Sequence, residues 1–343
     1  MACNLNQDAS ERMVNLQKVS DDPEAQLKYL DAAIARNKQE ASLYTRRAKL
    51  LLQKGELDKA LSDVNEAIEQ DDKDMTNLFL KAQVLRAMGK YKAALPFALQ
   101  AERNSYQSAA LYILLSDLYL HLQQPQKASA AVKKAMELAP ENAHALYFKG
   151  RVAAATSDTA GAVINYKLAI RQQPAFAEAR RDLVSALVNQ KVYDEARLQL
   201  EKVIKQLPKD AITWFYKGQF YQAIQKPDSA LWSYRTALEL ADTLQNAHYN
   251  AGVILYSQGD NAGAISHFEK ANEAYKNNIK YITLLAGAYE RTGQNINALE
   301  QYQRLLASQP GNGYTFADQR IARLKAKLSR PAPVVADTTT YTE

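Results

Sequence analysis

The residues that could do chemistry are few, and their spacing is wrong for it. Cys3 is the only cysteine, so one chain can form neither an internal disulfide nor a cysteine-rich zinc site. The four histidines, His121, His144, His248 and His267, contain no i,i+4 pair that would put two imidazoles on one helix face around a metal, and they read as packing or surface residues. There is no glycine-rich loop to cradle a phosphate, no carboxylate pair in a plausible pocket and no nucleophile–base arrangement. The expectation is a chain that is not an enzyme and carries neither cofactor nor metal. What it does have is rings. The stretch "ITWFYKGQFYQA", residues 212–223, holds Trp214, Phe215, Tyr216, Phe220 and Tyr221. On one helix these cannot all point the same way, and rings outside the core are candidate binding anchors.

Composition narrows the partner. Lys and Arg number 43 against 37 Asp and Glu, for a net charge of +6. Part of that surplus sits in "DQRIARLKAKLSR" near the end, which reads as a solvated helix face. Nucleic-acid binding would need basic residues interleaved with rings along one face, and the ring-bearing positions here carry mixed charge. No stretch approaches the roughly 18 consecutive apolar residues of a membrane span.

The elements that must position the rings follow from a period. Ala60, Ala94, Ala128, Ala162, Ala196, Ala230, Ala264 and Ala298 are each 34 residues apart. Seven positions later runs a second small column, from Ala67 and Ala101 to Leu305. Twelve before the alanines runs a third: Ala48, Ala82, Ser116, Gly150, Val184, Gly218, Gly252 and Ala286. Four after them runs a larger apolar column: Val64, Ala98, Val132, Tyr166, Leu200, Tyr234, Phe268 and Tyr302. Segments such as "LYFKGRVAAAT" and "AGAVINYKLAIRQQ" carry apolar residues at i, i+3, i+4 and i+7, the helical spacing. The breaks between them hold Gly55, Gly89, Gly259 and Gly293, or Pro125 and Pro227, which end helices and permit tight turns. Small columns let two antiparallel helices approach closely, and one such pair needs stacked neighbours to bury its faces.

This pattern resembles the tetratricopeptide repeat family. The resemblance implies an all-α fold, a right-handed α-solenoid of eight regular 34-residue helix-turn-helix repeats at 41–74, 75–108, 109–142, 143–176, 177–210, 211–244, 245–278 and 279–312. It extends to a degenerate N-terminal repeat over 10–40, after a polar tether at 1–9. A capping helix over 313–330 and a disordered tail over 331–343 complete the expected organisation. Repeat 177–210 departs from the family at two packing columns, with Arg180 where a large apolar residue is usual and Val184 where a very small one is, so its stacking is expected to be looser.

In the family frame Trp214 and Tyr221 fall on packing columns and Phe220 lies between neighbouring helices, while Phe215 and Tyr216 fall on the inner groove. The same face carries Phe79, Leu80, Ile113, Leu114, Tyr147, Phe148, Arg151, Arg181, Tyr249 and Asn250. Together these predict an exposed aromatic and apolar wall that binds a protein or peptide partner, with Arg151 and Arg181 available for acidic groups. Family members that hold a C-terminal Asp carboxylate use a Lys/Asn, Asn and Lys/Arg set over three repeats. Here those positions are Thr45 and Lys49, Leu80, and Ala110 and Leu114, which disfavours that mode.

Cys3 follows an alanine and precedes a polar stretch. This resembles the start of a mature bacterial lipoprotein, though no apolar signal segment precedes it here. The resemblance implies a lipid on Cys3 and a place on the periplasmic side of the bacterial outer membrane, as a scaffold in an envelope assembly or secretion complex. The alternatives are a cytoplasmic adaptor and a regulatory module of an enzyme on another chain. Oligomeric state is not legible.

Overall fold

The computed structural model describes residues 22–308 and 315–329. Every regular element among them is a helix, and the chain divides into two compact units between Pro174 and Ala175. In the first, α1 (Pro23–Arg36) precedes four helix pairs: α2 (Ala41–Lys54) with α3 (Leu57–Gln70), α4 (Met75–Ala87) with α5 (Tyr91–Arg103), α6 (Ala109–His121) with α7 (Pro125–Leu138), and α8 (Ala143–Ala155) with α9 (Thr159–Gln172). In the second, α10 (Ala177–Asn189) pairs with α11 (Tyr193–Gln206) and α12 (Ala211–Ala223) with α13 (Pro227–Leu240). Next come α14 (Gln245–Gln258), α15 (Asn261–Lys270) and the short α16 (Asn272–Tyr275), then α17 (Ile279–Arg291) with α18 (Asn295–Ser308), and α19 (Thr315–Leu328). The fold is the α-solenoid type that the period implies.

The columns explain the pairing. All eight alanines of the first column have 0% exposure, because each sits at a helix crossing where only a methyl group fits. The opposed third and fourth columns exchange volume. A Cβ on Gly150 would come within 2.6 Å of the Tyr166 ring, and one on Gly252 within 2.7 Å of the Phe268 ring. Three of the four rings in the fourth column, Tyr166, Tyr234 and Phe268, are faced by glycine, and Tyr302 by Ala286. In repeat 177–210 the fourth column holds the smaller Leu200, and Val184 and Leu200 are both buried. Arg180 is buried too, its Nη1 donating to Gln199 Oε1 at 2.6 Å.

Helix starts and turns are set locally. The side chains of Asp74, Ser108, Asn142, Asp210 and Asn278 accept hydrogen bonds from free backbone N–H groups at the starts of α4, α6, α8, α12 and α17, the usual role of an N-cap. In the turn between the two helices of each repeat one residue takes positive φ, between 57° and 87°: Gly55, Gly89, Gln123, Ser157, Lys191, Gln225, Gly259 and Gly293, while Ser105, between α5 and α6, is a further positive-φ residue outside this series. The members of the series are again 34 apart, and only four are glycine.

Two features fall outside the regular scheme. The second helix of repeat 245–278 is broken at Ala271 into α15 and α16. The Tyr281 hydroxyl, on a fully buried side chain, donates to the carbonyl of Phe268 at 2.9 Å, so the break leaves that acceptor satisfied. In the first unit Arg47 bridges α1 to the first pair. Its Nε and Nη2 donate to Asp63 and its Nη1 to Asp31, each at 2.7 Å. The proposed tether and tail, residues 10–21 of the expected degenerate repeat and Cys3 itself lie outside the described residues.

Candidate functional site

In the first unit, α2, α4, α6 and α8 line a cleft of about 420 Å³. Its lining is Leu52, Gln83, Arg86, Ala87, Ala110, Ile113, Leu114, Asp117, Asn142, His144 and Phe148. Three of the sequence-derived groove residues meet there: Ile113 half-buried, and Leu114 and Phe148 offering edges of otherwise buried side chains. The others are taken up by the fold. Phe79 is buried against Tyr106, with ring centroids 5.3 Å apart. Leu80, 2% exposed, joins the core with Ala48, Val64 and Val84. Tyr147 is buried against Tyr166 at 5.8 Å. The expected exposed wall is therefore not present at Phe79, Leu80 and Tyr147, and at Leu114 and Phe148 it is reduced to the edges that line the cleft. Adjacent residues on a helix point about 100° apart, so a neighbouring pair spreads over a wide arc, and most of it here is turned into the packing between helices.

The polar part of the cleft is a charge cluster. Asp117 is 1% exposed, and its carboxylate accepts Arg86 Nε at 2.6 Å and Arg151 Nη1 at 2.8 Å. A buried carboxylate requires such partners. His121 Nε2 lies 3.4 Å from the same carboxylate, and its ring stacks on Tyr91 at 4.0 Å. Burial pushes the His121 pKa down, against the pull of Asp117. The Arg151 guanidinium lies 5.2 Å from the Phe148 ring centre, a cation–π distance. Arg151 is thus engaged with Asp117, and Arg181 likewise pairs with Asp210. The sequence presents both arginines as available for acidic groups, whereas in the structure both hold carboxylates of the chain. Arg86, which lines the cleft, went unnoticed. Its signal is its place on α4, six residues and nearly two turns beyond Leu80.

The second unit has a more polar recess of about 320 Å³, lined by Val184, Ser185, Val188, Asn189, Tyr216, Gln219, Phe220, Gln222, Ala223 and Asn250. Tyr216 donates its hydroxyl to Asp182 at 3.0 Å. Asn250 Nδ2 donates to the Tyr234 hydroxyl at 3.2 Å, and that hydroxyl donates to Gln222 Oε1 at 2.8 Å. Tyr249 stacks on Tyr275 at 4.2 Å. Phe215 rests on Tyr234 at 5.8 Å and packs against the core, so its ring contributes to the fold. Phe220 is the buried ring of its helix, at 4% exposure. Trp214 is not core but half-buried, edge-on to Trp232, which is 55% exposed. Lys217 Nζ covers it at 4.2 Å. The Trp214 indole Nε1 donates to the Pro208 carbonyl at 2.8 Å.

The structure also joins two histidines that the sequence kept apart. His248 Nδ1 and His267 Nδ1 are 2.9 Å apart, and His248 Nε2 is 3.0 Å from the Asp242 carbonyl. A carbonyl only accepts, so in the neutral pair His248 carries its proton on Nε2 and accepts at Nδ1 from His267. Burial, then the neighbouring His248, Arg235 and Lys270, push the His267 pKa down to about 4. Among the described residues no group of three or more His, Cys, Asp or Glu is placed to hold a metal ion, and no helix is long and apolar enough to cross a membrane.

The sequence profile of the tetratricopeptide repeat matches residues 20–74, 113–177 and 217–279, more than half of the chain. The chain belongs to the tetratricopeptide repeat family. Proteins with this fold hold protein or peptide partners, and a protein-interaction scaffold is what the repeats support. The chain is similar to the Arabidopsis thaliana protein CTR9 homolog, 23% identical over 84% of this chain and 28% of that protein. A 100-residue stretch is 33% identical to the Salmonella typhi Vi polysaccharide export protein VexE, covering 29% of this chain and 15% of that one. The chain thus spans well under half the length of these relatives. Among solved structures, the APC/C hetero-tetramer Cut9–Hcn1 superposes with a TM-score of 0.67 at 16% identity, covering 89% of this chain and 60% of that one. At that identity the likeness extends to the repeat fold alone.

Proposed function

We propose that this tetratricopeptide repeat chain is a non-catalytic scaffold that holds a segment of a protein partner in the cleft of its first unit. The observation that carries this reading is the cleft itself: about 420 Å³, open to solvent, with Ile113, Leu114 and Phe148 at its apolar floor. A concave site with an apolar floor and a few polar groups is the usual form of a binding pocket. The test is site-specific cross-linking. A photo-reactive residue at Ile113 should capture one contiguous segment of one partner, mapped by mass spectrometry, and the same residue at exposed Trp232 should not. Equal, scattered capture from both positions would remove the reading.

The scaffold is further proposed to be lipid-anchored through Cys3, on the periplasmic side of a bacterial outer membrane and within an envelope assembly or secretion complex. The Ala-Cys-polar start supports this, and so does the partial likeness to a bacterial export protein. Cys3→Ser should then move the protein from the membrane to the soluble fraction. Unchanged fractionation would rule out this anchor.

A further inference from the structure

We propose that the segment held in the first unit's cleft is acidic as well as apolar, with a carboxylate placed beside a bulky hydrophobic side chain and recognised by Arg86. This rests on the cleft reading above and specifies its partner. The charges decide it. Asp117 is the one carboxylate lining the cleft, and it is already held by two guanidinium groups, Arg86 and Arg151. The cluster therefore carries a net positive charge against an apolar floor. Arg86 meets Asp117 through Nε alone, at 2.6 Å. Among the described residues Asp117 is its only ionic partner, and its side chain is 46% exposed. Its two terminal nitrogens, each with N–H groups in the guanidinium plane, make no hydrogen bond among the described residues, and Arg86 lines the cleft. Such a fork matches a carboxylate in a way that a lysine would not. His144 and Gln83 complete the polar rim without adding a negative charge. Ile113 and Phe148 beside it give an adjoining aliphatic or aromatic side chain a surface to cover. An incoming acid group thus finds a charged donor that is oriented by Asp117 and partly shielded from water, where charge-assisted hydrogen bonds are stronger than at an open surface.

The experiment uses the full chain and two fluorescein-labelled peptides, GSDLFDLSG and its amide twin GSNLFNLSG, followed by fluorescence anisotropy. The acidic peptide should bind roughly tenfold or more tightly than its twin, the range expected for a charge-assisted hydrogen bond. The gap should narrow as salt is raised. Arg86→Gln should abolish the preference. Gln83→Glu, which sets a like charge in the cleft without touching Asp117, should do the same, and it guards against a folding defect in the first variant. Equal binding of the two peptides, or a preference that survives both substitutions, would overturn the proposal. Equal binding that is lost in Ile113→Ala would leave the apolar cleft standing and remove only the acid. If neither peptide binds, the acid-recognition proposal falls, while the cross-linking map judges the cleft separately. Binding of a single-stranded oligonucleotide that competes with the acidic peptide and is lost in Arg86→Gln would also overturn it, because the cleft would then be reading phosphate.

Discussion

Replacing Gly218 with alanine places a methyl group 2.5 Å from Cδ1 of Tyr234 and closer still to Cε1. Real Cβ atoms do not approach a ring so closely, so one of the two must move. Tyr234 has no room to do so: it is 0% exposed, and its hydroxyl is tied to Gln222 and Asn250. Overpacking of this kind costs about 1–3 kcal/mol. Against that, removing glycine from a helix interior gains about 1 kcal/mol. With the ring pinned, the steric cost belongs in its upper range and the net change is about 1–2 kcal/mol destabilising. Gly287→Ala is the control. Its methyl would meet only the hydroxyl end of the half-buried Tyr256, at 2.6 Å, which can swing aside, so the helix gain should prevail and the variant should be slightly more stable. The molecule supplies its own local probe, because its two tryptophans, Trp214 and Trp232, both lie in the repeat that contains Gly218. In urea titrations, Gly218→Ala should lower the tryptophan-fluorescence midpoint at least as much as the circular-dichroism midpoint. Gly287→Ala should raise the latter with little effect on the former. If Gly218→Ala stabilises to the same degree as Gly287→Ala, the glycine-against-ring account of the pairing is wrong.

Phe220→Ala should cost about 3–5 kcal/mol in urea melts, as for a large buried ring, and Trp214→Ala only about 1–2 kcal/mol; the reverse order would mean that the buried and outer faces of α12 are misassigned. Arg47→Ala leaves the Asp63 carboxylate nearly buried without its bidentate partner and should cost about 2–3 kcal/mol, seen as faster limited proteolysis at Arg36 and Lys38; unchanged cleavage would show that Arg47 does not hold α1. The His267 pKa is about 4 in the fold against 6.5 for a free imidazole, so the unfolded chain takes up the proton first. The stability this pair contributes should be complete above pH 6.5 and be lost as the pH falls toward 4. His267→Asn keeps a donor toward His248 without titrating, so its urea midpoint should fall less between pH 7 and pH 5 than that of the unaltered chain. An equal fall would place the acid sensitivity elsewhere.

The repeat architecture was legible because its cause recurs. A small residue at one crossing is ambiguous, but eight alanines at one spacing leave few alternatives. The candidate site was legible only in part. Ile113, Leu114 and Phe148 were named from their positions and do meet at a cleft, but a one-dimensional register cannot give depth. Whether position five or six of a helix reaches solvent depends on the neighbouring helix, as Leu80 against Val64 and Tyr147 against Tyr166 show. Trp214 falls on a packing column of the repeat, yet its ring is half-buried, with the indole N–H donating to the Pro208 carbonyl, a contact that a column register does not encode. The Arg86–Asp117 pair and the histidine pair were hidden for another reason. Their members are 31 and 19 residues apart on different helices, and nothing in the local pattern joins them.

The turn column bears on how such an array can drift and still keep time. The eight internal copies agree on a left-handed backbone there, yet Gln123, Ser157, Lys191 and Gln225 occupy it in place of glycine. The inherited quantity is an angle, and the residue that adopts it is open to substitution so long as the rest of the repeat covers a strain of about 1 kcal/mol. Copies can therefore diverge at this point without slipping in phase. For an engineer, the four side chains mark unused reserve. Restoring glycine at each would relieve strain at four separate points, none of which lines the cleft.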